Sequence, residues 1–285
     1  MENILIVTDS TSTFTIDEAK EKGIALLALS VIVDGNEFKD LVEISAQEVY
    51  ENDKMGRDLT TSQPNLGYLM DEMKVWKEKN YDHIIVITLS NTFSGTFQAV
   101  RMIAQELEMD NITMVDSLLV GSPMKEASLQ ALEMVKEGKS VAEIVENCTR
   151  VFTNTATFVL PLTLDNLRKG GRITGATAAM SSLLRIKPLL YLENQNSVIE
   201  KHGVHRTEAS VFKTIIKEYK ARGVKKETHK LNILHAQGKD IVERFIRVIN
   251  EELPGMEYEV SDLPAVLTTH TGVGTFGVQS VLKRN

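Results

Sequence analysis

A short β-branched run, His83-Ile84-Ile85-Val86-Ile87-Thr88-Leu89, leads directly into Ser90-Asn91-Thr92-Phe93-Ser94-Gly95-Thr96-Phe97-Gln98. The run reads as a buried strand. After Gly95 the apolar residues Phe97, Val100, Ile103, Ala104 and Leu107 fall at helical spacing. Small hydroxyl residues and a glycine therefore occupy a strand-to-helix junction. A helix N-terminus offers unpaired N–H groups and partial positive charge, so it favours an anion. Ser94 is equally well explained as an N-cap, and this stretch alone leaves the two readings even.

The same alternation recurs. Strands are predicted at 4–8, 25–33 (read as a central strand), 84–89 and 112–115, with helices over 120–136 and from Ser140. Capping boxes are expected at Thr15/Glu18 and Ser45/Glu48, and Ser140 again has an acid three residues on, at Glu143. Asp34-Gly35 signals a tight turn, and 60–64 reads as a polar loop closed by Pro64. Leu66, Leu69, Met70, Met73 and Trp76 mark one helical face, read as core packing. Strands alternating with helices imply a parallel sheet. Three strand ends carry similar chemistry: Asp9-Ser10-Thr11, Ser90 to Ser94, and Asp116-Ser117. In such sheets ligands bind beyond the carboxyl ends of the strands. None of the three matches a dinucleotide fingerprint or a Walker loop, so no nucleotide is indicated.

The pattern changes near 158–161, which places a boundary between 1–160 and 161–285. A short helix at 164–169 ends at Gly170-Gly171. A small-residue helix is expected at 175–184, and a hairpin around Asn194-Gln195-Asn196. A helix with Val211, Ile215 and Tyr219 in register, a strand at 231–235, a helix at 240–253 and a strand at 256–260 follow. The chain closes on a glycine-spaced loop, His270-Thr271-Gly272-Val273-Gly274.

At 285 residues the chain fits one large domain or two ordinary ones. A formal net charge of −7 gives no general attraction to nucleic acid, and no basic cluster is interleaved with aromatics. The single Cys148 cannot form an internal disulfide, which suits a reducing compartment; it is read as buried and inert. The N-terminus lacks a basic signal-peptide region and no apolar run reaches membrane-spanning length, so the expectation is a cytoplasmic protein without a transmembrane segment.

Among candidate chemical groups, His270 stands beside glycines that let backbone approach a ligand closely. Its imidazole suits donation to an anion or proton transfer near neutral pH. Arg172 and Arg206 lie at turn-to-element junctions, and an arginine fork fits carboxylate or phosphate. Asp9 reads equally as a base or a structural cap. The remaining histidines and Cys148 show no metal-ligand spacing. A hydrolase could be assembled from Ser94, His270 and Asp9, but Thr92 and Thr96 stand where a nucleophile elbow needs glycine.

Taken together the segments resemble the DegV family of bacterial fatty-acid-binding proteins. The matching residues are Asp9-Ser10-Thr11-Ser12, Thr61-Ser62-Gln63-Pro64, Ser94-Gly95-Thr96-Phe97-Gln98, Asp116-Ser117, Gly170-Gly171-Arg172-Ile173, Lys187-Pro188-Leu189-Leu190, His205-Arg206-Thr207 and His270-Thr271-Gly272. They run in order along nearly the whole chain. The resemblance implies two α/β domains, the first with a mostly parallel sheet and the second with a mixed one, holding a long-chain fatty acid between them. It implies carboxylate contacts from Thr61, Ser94 with Gly95, and His270. Arg172 and Arg206 would serve the acyl-phosphate end or a partner. That partner would be the catalytic subunit of a fatty-acid kinase. The protein would be a non-catalytic carrier that needs no cofactor, presents the carboxylate for ATP-dependent phosphorylation and carries the acyl phosphate away. A transient contact with a membrane surface belongs to the same expectation. Val273 departs from the family, which often has proline there, and the match around Arg206 is weaker. The missing nucleotide loop agrees with a carrier rather than a free-standing kinase. The rival readings are a lipid esterase or phosphotransferase using Ser94 and His270, and a regulatory binder of another amphiphile.

Overall fold

A computed structural model describes residues 2–173, 186–193 and 198–284. The small-residue helix expected at 175–184 and the turn around Asn194-Gln195-Asn196 lie outside the described residues.

The first half is built on β1 (Ile4–Asp9), β2 (Ala25–Leu27), β3 (Ser30–Val33), β4 (Asn36–Lys39), β5 (Leu59–Ser62), β6 (His83–Thr88) and β7 (Ile112–Asp116). Its helices are α1 (Ile16–Lys22), α2 (Ala46–Lys54), α3 (Leu66–Glu78), α4 (Thr96–Glu106), α5 (Ser122–Lys136) and α6 (Val141–Thr153). Strands β2-β1-β6-β7 form a parallel sheet in that order, and β4-β3-β5 a small antiparallel one. Every residue of β1 is buried, as a strand covered on both faces requires.

Two expectations need correction. The apolar run 25–33 is not one central strand. It breaks at Ala28-Leu29, giving edge strand β2 to the parallel sheet and β3 to the antiparallel one. A continuous apolar run does not reveal that the chain changes sheets within it. The supposed polar loop at 60–64 begins as β5, with Thr61 opposite Val31 in the ladder. Its threonines are β-branched and tolerate a half-exposed edge. Asp34 and Gly35 both take positive φ, 49° and 83°, at the β3–β4 turn, as a tight hairpin favours. Capping boxes are complete at Ser45/Glu48 and Ser140/Glu143. At α1, Thr15 accepts the Glu18 N–H, half of the expected box.

The second half carries β8 (Ala156–Leu160), α7 (Asp165–Gly170), β9 (Lys187–Glu193), β10 (Glu200–His205), α8 (Glu208–Ala221), β11 (His229–His235), α9 (Lys239–Glu252), β12 (Tyr258–Asp262), α10 (Ala265–Thr271) and β13 (Phe276–Leu282). Its mixed sheet runs β10-β9-β8-β13-β11-β12. Among the described residues only β11 and β12 of this sheet pair in parallel. Strand β8, the last stretch of the 1–160 segment, pairs with β9 and β13 and so belongs to this sheet.

The halves share a core. Met124, Ala127 and Ala131 of α5 and Ile144, Cys148 and Phe152 of α6 pack in one cluster with Leu192, Val266 and Val281. Cys148 is fully buried there, and burial pushes its thiol up to about 12. Helix α10 packs against α2, β5 and β3 of the first half. Residues distant in sequence are therefore brought to one seam.

Candidate functional site

A cavity of about 280 Å³ lies along that seam. Its volume is near the lower end of the usual small-molecule range of about 300–1,000 Å³. Much of the wall is aliphatic: Leu29 and Leu89 from the first half, and Leu190, Leu192, Leu234 and Leu267 from the second. The polar lining includes Thr61, Ser94, Gly95, Arg172 and His270.

His270 was expected in a loop. It sits instead in the last turn of α10, with Gly272 (φ 81°) turning the chain just beyond it. The threonine-rich helix is only seven residues long and follows Pro264, so its sequence signal is weak. The imidazole Nε2 lies 2.7 Å from Thr61 Oγ1. This contact joins residues 209 positions apart, one on a strand of the first half and one on a helix of the second. Burial, and then the positive charge of Arg172, lower the His270 pKa to about 4. The ring is thus neutral at pH 7 and acts as a hydrogen-bonding group, not a fixed cation. Gly170 makes room for it: a Cβ at that position would fall 2.3 Å from His270 Nδ1.

Gly95, not Ser94, is the N-cap of α4, and no side chain caps it. Ser94 Oγ accepts the Thr96 N–H at 3.3 Å and lies 2.9 Å from Thr96 Oγ1. The sequence alternatives for Ser94 thus overlap, since its oxygen assists the helix start while the residue lines the cavity. Gln63 packs on Gly95, where a Cβ would meet Gln63 Oε1 at 2.1 Å. Arg172 reaches across from the second half. Its Nε and Nη2 each donate to the Phe93 carbonyl at 3.3 Å, and Nη1 donates to the Gly170 carbonyl. Arg206 is elsewhere, exposed between β10 and α8 and outside the cavity lining.

Asp9 has a different position from the one a hydrolase would need. It is fully buried, and its carboxylate accepts Leu89 N–H at 2.7 Å, Thr11 N–H at 3.0 Å and Thr11 O–H at 2.6 Å. It ties the ends of β1 and β6 together. Burial raises its pKa to about 6 despite those donors. Ser94 is hydrogen-bonded to Thr96 and His270 to Thr61, so the three do not form a relay.

Sequence reasoning missed Gln279. It is 1% exposed and lines the cavity. Its Oε1 accepts the Ser122 N–H at 2.9 Å, while Nε2 donates to the Val120 carbonyl and Thr157 Oγ1, both at 2.9 Å. It fastens β13 to the start of α5. The available signal was a glutamine inside Phe276–Leu282, a strand with every residue buried. Among the described residues no group of three or more His, Cys, Asp or Glu side chains could hold a metal ion. No helix there is long and apolar enough to cross a membrane.

The family model described as "Uncharacterised protein, DegV family" matches residues 3–283. A DegV domain-containing protein of Clostridium perfringens is 30% identical over 294 residues, covering 98% of each chain. Another, from Listeria innocua, is 30% identical over 284 residues and covers 99% of each. Among solved structures, a fatty-acid-binding DegV family protein from Thermus thermophilus superposes with a TM-score of 0.86 at 30% identity, covering 99% of this chain and 100% of that one. DegV from Bacillus subtilis, a fatty acid binding protein, gives 0.84 at 27% identity with the same coverage. Relatedness spans nearly the whole chain and takes in both halves of the fold, and so the chain belongs to the DegV family.

Proposed function

We propose that this protein binds a long-chain fatty acid in the cavity between its halves. The observation that carries the reading is an aliphatic cavity with a neutral, hydrogen-bonding polar group at Thr61 and His270. Burying an acyl chain contributes about 0.8 kcal/mol per CH₂, before the costs of ordering and association. The carboxylate would be held by Thr61, Ser94, the backbone at Gly95 and His270. Neutral donors and an open helix start bind an anion while allowing its release. Fatty-acid binding by the relatives from Thermus thermophilus and Bacillus subtilis supports the reading.

On this proposal the protein is a carrier. It presents the carboxylate to a separate ATP-dependent kinase and takes away the acyl phosphate, working in the cytoplasm. Arg172, beside His270, would meet the acyl-phosphate end, and exposed Arg206 would contact the partner. The ligand would lie between two α/β units divided just ahead of β8. The bonding of Ser94 to Thr96 and of His270 to Thr61 favours this carrier over an esterase.

Mass spectrometry of the purified protein under native and then denaturing conditions tests it. The expected result is excess mass of one long-chain fatty acid, lost on denaturation and reduced in Thr61→Ala or His270→Ala. A protein that stays ligand-free after incubation with palmitate and oleate would sink the proposal.

A further inference from the structure

Asp53 lies near the end of α2, outside the cavity lining. Its Oδ1 accepts the Asn166 side-chain amide at 3.1 Å, and its Oδ2 accepts the Val273 backbone N–H at 3.3 Å. Asn166 belongs to α7, and its amide also reaches the Thr269 carbonyl at 3.4 Å. That carbonyl is in the last turn of α10, where backbone acceptors lack helical partners. Gly272 closes over the same amide: a Cβ there would stand 3.3 Å from Asn166 Nδ2. One carboxylate on a first-half helix thus gathers two second-half segments. One is α7, which leads through Gly170-Gly171 into Arg172; the other is the turn that ends the helix of His270.

The two segments depend on each other. Gly170, the last residue of α7, stands against the His270 ring, and Arg172 donates to the Gly170 carbonyl. A small drift of α7 from α10 would loosen the ring from Thr61 Oγ1, where the contact is 2.7 Å. We infer that Asp53 is a positioning residue: by bonding Asn166 and the Val273 N–H, it latches α7 and the turn after α10 to α2 and fixes where His270 and Arg172 stand in the cavity. For ligand affinity this rests on the fatty-acid reading above; for the placement of His270 it does not.

The latch can be opened from either side. Asp53→Ala removes both acceptors, and Val273→Pro removes one donor while leaving the carboxylate, since proline has no N–H. Two measurements are made on folded protein well below its unfolding temperature: the palmitate Kd, and the His270 Cε1–H resonance of histidine-labelled protein, assigned by its loss in His270→Gln. The expected result for Asp53→Ala is about a three- to tenfold weaker palmitate Kd, the scale of one or two hydrogen bonds to a partly exposed charge. The His270 resonance should also shift or broaden. The double variant should be less than additive, because both changes open one contact. If the wild type binds no palmitate, the fatty-acid reading fails and the resonance alone decides the latch. If Asp53→Ala lowers only the unfolding temperature and leaves the resonance and affinity unchanged, the latch is overturned. Should Asp53→Ala not fold, Asp53→Asn and Val273→Pro are judged by the same two measurements.

Discussion

Gln279 and His270 both come from the last few elements of the chain, and both place polar atoms in the wall of one cavity. Their bonding differs. Gln279 is saturated, with its carbonyl taken by Ser122 and its amide shared between Val120 and Thr157. Among the described residues the His270 side chain has one hydrogen-bond partner, the Thr61 hydroxyl, and its charge is suppressed by burial and Arg172. A buried polar group with every bond filled adds architecture, and it is costly to disturb because its partners are stranded with it. One with bonding capacity to spare beside an apolar cavity can turn toward a ligand. The same contrast separates helix starts. Ser45 and Ser140 cap α2 and α6 with full capping boxes, whereas α4 starts at Gly95, which has no side chain, and only Ser94 Oγ accepts the Thr96 N–H.

Removing the open member should give the largest effect on binding. His270→Ala is expected to weaken palmitate about ten- to a hundredfold, the scale of a hydrogen bond to a charged group. Its denaturant midpoint should stay close to wild type. A titration calorimeter and a urea curve on the same sample report both. Equal losses in the two would erase the contrast. Removing the saturated member should reverse the signature. Gln279→Leu keeps the approximate volume but strands the Ser122 N–H and the Val120 carbonyl, at a cost of about 2–6 kcal/mol of stability for two such groups. A urea midpoint unchanged by this substitution would show that the staple is dispensable.

Gly170→Ala probes the open member indirectly. The new Cβ would press on the ring 2.3 Å away, so the imidazole must leave Thr61. Affinity for palmitate should drop about tenfold, by the same hydrogen-bond scale, with little change in unfolding. Combined with Thr61→Val it should add less than either change alone predicts. The last test concerns pH. His270 has a folded pKa near 4, below the ordinary 6.5, so the folded state binds fewer protons than the unfolded chain between those values. Its contribution to stability is therefore fully present above pH 6.5 and lost as pH falls toward 4. His270→Gln should flatten that limb of the thermal-stability profile relative to wild type. An unchanged slope between pH 6.5 and 4 would mean the ring is not held neutral by the fold.

Local patterns were enough for much of the architecture. Period-two and continuous apolar runs specified β1, β6, β7 and β11, and Ser-x-x-Glu placed the starts of α2 and α6, because backbone pairing and capping are decided within a few residues. The hydroxyl, glycine, arginine and histidine motifs named most of the groups now found along the cavity. What they could not supply was partnership. Thr61 was a polar loop residue until pairing with β3 made it a strand residue facing α10. His270 was a loop residue until a seven-residue helix carried it. Gln279 had only the weak local signal of a polar residue inside an apolar strand, and Asp53 had none, since their bonds span 157 and 220 residues of chain.

The alternation of elements, the strand-to-helix junction at Ser94-Gly95 and the family are legible in the residues alone, since these depend on short-range periodicity and residue identity. The packing of α10 of one half on the strands of the other, the hydroxyl that meets the imidazole and the neutrality of that ring emerge only in the folded chain. Those outcomes depend on burial and on distances between segments far apart in the chain, and neither is a property of any local stretch of residues.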